Sequence, residues 1–211
     1  MIFKNEKAVT LIELFISILT VSIMVLSFYS LEVFSQQQVV NSQRRAKVQN
    51  DLSYVLEHMS KYVQQANGNI NSQAIVQTGS GLQVRVDLNA VKTPANTNDD
   101  AWIVYSISGN QLNVSCVPVI GGSGACDSFT SEGLSDRIIA GFAGSTTLPN
   151  PLPENPSAGF YVDINSLGNL INIGLIGRYS PAAAYVDKID RFKNPQVEME
   201  TKVICNSCSV N

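Results

Sequence analysis

The sequence predicts an α+β fold: a long N-terminal α-helix, membrane-spanning in its first half, packed on a mostly antiparallel β-sheet head. Three observations predict it. Leu14 to Leu31 is an 18-residue run without a charge, flanked by Glu13 and Glu32. From Ser35 to Ala66 there is no Gly or Pro, and apolar residues recur at helical spacing. Past Gly68 the apolar pattern becomes alternating, with Gly, Pro and Asn between the alternating segments.

Composition sets the outer bounds. The chain has 211 residues, 14 Lys+Arg against 17 Asp+Glu, and a formal net charge of -3. That balance argues against a nucleic-acid binder held by bulk electrostatics. Charged residues make up 15%, below the roughly 25% of an average globular chain. The single histidine, His58, excludes a two-histidine mechanism within one chain.

The uncharged run comes first. Eighteen helical residues span about 27 Å, near the thickness of a bilayer's hydrocarbon core. Thirteen of the 18 are apolar or aromatic; the rest are Ser17, Thr20, Ser22, Ser27 and Ser30. Their hydroxyls can bond the carbonyl four residues back, which makes them tolerable in lipid. A cleaved secretory signal would be followed by a small-residue cleavage site. Glu32-Val33-Phe34-Ser35-Gln36 supplies none. A plain membrane anchor is the simple alternative. Glu13 points further, because an acid at the start of a membrane helix is costly unless it has a partner.

Glu13 lies in Ala8-Val9-Thr10-Leu11-Ile12-Glu13-Leu14. This heptapeptide resembles the processing signal of type IV pilins and type II secretion pseudopilins. Thr10, Leu11, Ile12, Glu13 and Leu14 match the family motif position for position. Ala8 stands where that family usually has Gly, Val9 where it usually has Phe, and Ser30 where major pilins often have Pro. The resemblance implies a leader of residues 1–8, cut by prepilin peptidase between Ala8 and Val9, with N-methylation of Val9. It implies a transmembrane and filament-core helix over residues 9–34. It also implies that Glu13 pairs with a neighbouring subunit's N-terminal amine, two costly charges offsetting each other. Lys4 and Lys7 fit a cytoplasmic N-terminus. Arg44, Arg45 and Lys47 lie on the other flank, too far along to count strongly.

The helix continues over residues 35–67. Val48, Leu52, Val55, Leu56, Met59, Val63 and Ala66 form one face. Asn67-Gly68 is a C-terminal stop. One helix from about Thr10 to Ala66 would be roughly 85 Å long. His58 lies off the apolar stripe beside Glu57 and reads as a solvated or capping residue. Arg44-Arg45-Ala46-Lys47 reads as a solvated face, with a lipid-headgroup or neighbouring-subunit contact as the alternative.

Residues 68–211 form the β-rich head. Strands are expected over Ala74–Thr78, Leu82–Leu88, Trp102–Ser108, Gln111–Pro118, Phe160–Ile164, Leu170–Tyr179 and Val197–Ile204. In the second, Leu82, Val84, Val86 and Leu88 alternate with Gln83, Arg85 and Asp87, so one face is buried and the other polar; in the fourth, Leu112, Val114 and Cys116 share the inward face. The clearest hairpin turns at Gly109-Asn110. Pro151, Pro153 and Pro156 make residues 150–156 irregular, and 134–142 hold a short apolar segment.

Four cysteines allow three disulfide connectivities. Cys116 with Cys126 and Cys205 with Cys208 is favoured over the crossed pairings, because short loops close most readily. The Cys205-Asn206-Ser207-Cys208 motif could instead be redox-active, or a zinc pair. It trails a strand rather than opening a helix, and Cys116/Cys126 lack zinc spacing. No hydrolase elbow, zinc-protease motif or phosphate loop is present. Asp99, Asp100, Asp127, Glu132 and Asp136 could offer oxygens to calcium, but fit no EF-hand and read as solvated loop acids. The expectation is a non-enzymatic minor pilin-like or J-type pseudopilin-like subunit without cofactor, metal or nucleic acid. Its expected partners are prepilin peptidase, other pilins or pseudopilins, the inner-membrane assembly platform and membrane lipid. Its expected place is the bacterial inner membrane, head outward, and then a filament. The alternative is a membrane-anchored extracytoplasmic binding module that never polymerises.

Overall fold

A computed structural model describes residues 10–68, 73–78, 81–89, 92–93, 96–108, 111–120, 126–131, 134, 160–165, 169–179, 195–206 and 208. The leader and its junction at Ala8 and Val9 lie outside these residues. So do Gly109-Asn110, Gly121–Gly124, Glu132, residues 135–142 including Asp136, and 150–156. Helix α1 runs Leu11–Gln64, within two residues of the expectation at each end. The chain divides into two compact units, residues 1–43 and 44–211.

In the first unit the apolar side chains stay uncovered. Phe15 is 62% exposed, Leu26 67% and Phe28 71%. The hydroxyls turn inward on the helix itself. Ser17, Ser22 and Ser27 donate to the carbonyls of Glu13, Ile18 and Ile23, and Thr20 to that of Ser17. α1 is long and apolar enough to cross a membrane, and these four hydroxyls are satisfied within the helix, as lipid demands.

The second unit is built on the rest of α1 and seven strands: β1 (Ile75–Thr78), β2 (Gly81–Val86), β3 (Ala101–Ser108), β4 (Gln111–Pro118), β5 (Phe160–Ile164), β6 (Leu170–Arg178) and β7 (Gln196–Ile204). They form two antiparallel meanders, β1-β2-β3-β4 and β5-β6-β7. The head therefore carries two sheets where the alternation alone predicted one. Strand β2 stops at Val86 rather than Leu88 because Asp87 leaves the ladder. Its carboxylate accepts the amides of Asn89 at 2.9 Å and Thr93 at 2.6 Å, the pattern by which Asp closes turns.

The expected stripe of α1 is the core face. Leu52, Val55, Met59, Val63 and Ala66 are fully buried. Burying each of the larger side chains contributes about 1.5–3 kcal/mol before chain entropy is set against it. The first turns of this segment meet β6 and β7. A Cβ on Gly177 would stand 2.8 Å from Val48 Cγ1 and 3.1 Å from Leu52 Cδ2, so glycine lets strand and helix close up. Ser53 Oγ donates to Met199 Sδ at 3.7 Å. The last turns meet the first sheet, where Leu82, Val84, Ile103, Tyr105 and Leu112 are buried. Ala66 makes an antiparallel bridge to Val86.

Candidate functional site

Thr10 and Glu13 start α1 with a reciprocal capping box. The Leu14 amide donates to the Thr10 carbonyl at 3.1 Å, which makes Thr10 the N-cap and Glu13 the third helical residue. The Glu13 amide donates to Thr10 Oγ1 at 3.3 Å. In return, Glu13 Oε2 accepts from the Thr10 amide at 2.9 Å and from Thr10 Oγ1 at 3.0 Å. Two backbone donors that a helix start leaves orphaned are thus satisfied. The Thr-x-x-Glu spacing was visible in the sequence as a helix-start signal.

Leu11, Ile12 and Leu14 flank this box at 86%, 65% and 57% exposure. The five motif residues thus share one helix start, with an engaged carboxylate among uncovered apolar side chains. Such a surface can pack against lipid or other apolar helices.

Several ionisable groups of the second unit are held by structural partners, and Asp100, expected as a solvated loop acid, is 0% exposed. Arg85, expected on a polar strand face, is 1% exposed. Its Nε donates to the Asn67 carbonyl at 2.9 Å and lies 3.4 Å from Asp100 Oδ2. Asn67 Nδ2 donates to the same Asp100 oxygen at 3.3 Å. The guanidinium carbon sits 5.7 Å from the Trp102 ring centroid. Burial raises the Asp100 carboxyl above its ordinary range against the pull of Arg85 and Asn67. Burial likewise lowers Arg85 against the pull of Asp100. Desolvation therefore outweighs the mutual attraction, as in many buried pairs.

Asp99 belongs to a loop network, its Oδ2 accepting from Thr93 Oγ1 at 2.7 Å and Asn89 Nδ2 at 3.1 Å. The Asp87 carbonyl accepts from Lys92 Nζ. Among the described residues no three His, Cys, Asp or Glu side chains come together in a way that could hold a metal ion.

His58 is a correction. It is 3% exposed rather than solvated. Its Nδ1 lies 2.9 Å from the Tyr105 hydroxyl, and its ring centroid 4.8 Å from that of Tyr62. The basic patch is partly packed as well: Arg44 Cζ and Lys47 Nζ lie 5.2 and 5.8 Å from the Tyr179 ring centroid, within cation–π range. The cysteines pair as Cys116–Cys126 and Cys205–Cys208.

No protein-family model, curated protein or solved structure matches this chain.

Proposed function

We propose that the chain is a minor pilin-like structural subunit. It is processed by prepilin peptidase between Ala8 and Val9 and methylated at Val9. It assembles through α1 into a type IV pilus or type II secretion pseudopilus, in the tip or initiation complex. The observation that carries this reading is the run Thr10-Leu11-Ile12-Glu13-Leu14 at the head of an uncovered apolar helix that continues, unbroken by Gly or Pro, through Gln64. An apolar helix of this length gains by packing among lipid tails first and among like helices afterwards. The proposed role is mechanical, with the inner-membrane assembly platform and neighbouring subunits as partners.

The test is expression with and without a prepilin peptidase, followed by mass spectrometry of the N-terminus. The expected product begins at a methylated Val9. An intact Met1 in the presence of active peptidase rejects the reading.

One observation favours a second reading, a membrane-anchored extracytoplasmic binding module that does not polymerise. The Glu13 carboxylate already has a partner in its own chain, Thr10, so the acid has a use without any neighbour. That reading expects an uncut leader and no loss of function on neutralising Glu13.

A further inference from the structure

The Cys205-Asn206-Ser207-Cys208 motif has the spacing of a thiol–disulfide exchange centre in surroundings opposite to those of one. An active C-x-x-C presents its first sulfur to solvent, where positive charge or a helix N-terminus favours the thiolate. Here the first cysteine is 4% exposed and belongs to the core. The Cys205 amide donates to the Asn169 carbonyl at 2.9 Å, prolonging the β6–β7 pairing by one residue. Its Sγ faces the carbonyl oxygen of Ala66 at 3.8 Å, just beyond the last turn of α1. Cys208 packs partly buried against the same core. Cys116 packs against the core in the same way, and Cys116, Cys126 and Cys208 are all partly exposed, so Cys205 alone of the four is buried.

Ala66 and Asn67 are where the end of α1 meets both sheets. Ala66 bridges Val86 of β2, and the Asn67 amide donates to the Arg85 carbonyl at 2.9 Å. The second sheet reaches this point through Cys205, at the end of β7.

We propose that Cys205–Cys208 is a shielded structural latch. It holds the end of β7 on the end of α1 and resists dithiols that readily open Cys116–Cys126. Attack on the more accessible Cys208 sulfur must expel Cys205 as a thiolate, into apolar surroundings and against a carbonyl oxygen. Attack on Cys205 must bring the nucleophile into the core. Net reduction breaks the S–S bond and forms two S–H bonds, while the attacking dithiol leaves as its own disulfide, two electrons and two protons passing to the chain. The bond closes only within residues 205–208, so it acts on α1 through the buried Cys205 side chain: once open, that side chain and the end of β7 are freed from Ala66, while the first sheet stays in place, held there by backbone hydrogen bonds.

The oxidised full-length protein in detergent micelles is treated with dithiothreitol, quenched at intervals with an alkylating reagent, and its cysteine peptides weighed. Cys116 and Cys126 are expected to label about tenfold faster than Cys205 and Cys208. Equal rates, or the reverse order, overturn the shielding. Amide exchange then compares C205S/C208S with C116S/C126S. The first variant is expected to raise exchange in β6 and β7 about tenfold and leave β2 and β3 protected. Unchanged β6 and β7, or equal loss in both sheets, overturns the latch. Should the first variant fail to fold, the labelling order on the native chain still decides the shielding.

Discussion

His58 Nδ1 lies 2.9 Å from the Tyr105 hydroxyl, joining α1 to β3 between two side chains that are 3% and 0% exposed. A polar pair persists in such a place only when its groups satisfy each other. Tyr105→Phe keeps the ring and removes the hydroxyl. The expected loss is about 1–1.5 kcal/mol, a fall in melting temperature of roughly 2–6 °C for a chain of this size. Thermal unfolding followed by near-ultraviolet circular dichroism in mild detergent measures it.

Gly177 tests the contact between the second sheet and the helix. Gly177→Ala places a methyl 2.8 Å from Val48 Cγ1. Overpacking of this kind costs typically about 1–3 kcal/mol. Val48→Ala removes the obstructing methyl, so the double variant is expected to lose less than the two single losses combined. Strict additivity in denaturation midpoints would show that strand and helix separate instead.

Arg85 and Asp100 define a dependence on pH. Burial holds the folded Asp100 carboxyl above its ordinary 3.8. Well below that value the folded and unfolded chains both carry the proton, and the group contributes nothing. As pH rises, the unfolded chain ionises first, so stability falls until the folded carboxyl has ionised too, and the full cost persists at every higher pH. Asp100→Asn removes that slope. It also strips Arg85 of its ionic partner, at a cost of about 3 kcal/mol near neutral pH. Between about pH 3 and 7 the parent is expected to lose stability relative to Asp100→Asn, so the gap between them narrows as pH rises, while Arg85→Met with Asp100→Leu loses less than Asp100→Asn alone.

Where periodicity reports burial directly, the sequence was sufficient. Val48 to Ala66 fall on one helix face because they share one core, and Leu112, Val114 and Cys116 alternate inward for the same reason. Periodicity failed where a partner came from elsewhere. Arg85 follows strand alternation onto the polar face, yet is buried because Asp100 and Asn67, distant in sequence, cover its charge. His58 looked solvated because its partner, Tyr105, sits 47 residues away. The split into two sheets depends on which edges pair, and alternation carries no such information. At the helix start, the spacing of Thr10 and Glu13 serves a cap and a recognition motif alike, so sequence alone could not apportion it.

Glu13 can be apportioned by substitution. Gln keeps the capping box, since its amide oxygen can still accept from Thr10, but it removes the charge. Val removes both. Thr10→Val weakens the cap by about 1 kcal/mol while leaving the charge in place. If Glu13 serves a neighbour's amine, as the pilin-like reading holds, Glu13→Gln and Glu13→Val are both expected to reduce incorporation into filaments about tenfold or more, the carboxylate being indispensable in lipid. Leader removal, read by mass spectrometry, would continue in both. If Glu13 only caps the helix, Glu13→Gln incorporates like the parent, and Glu13→Val and Thr10→Val share one modest defect. Comparing the three variants by immunoblot of sheared filaments against total membranes separates charge from cap, because no single helix-stability effect can make Gln as harmful as Val.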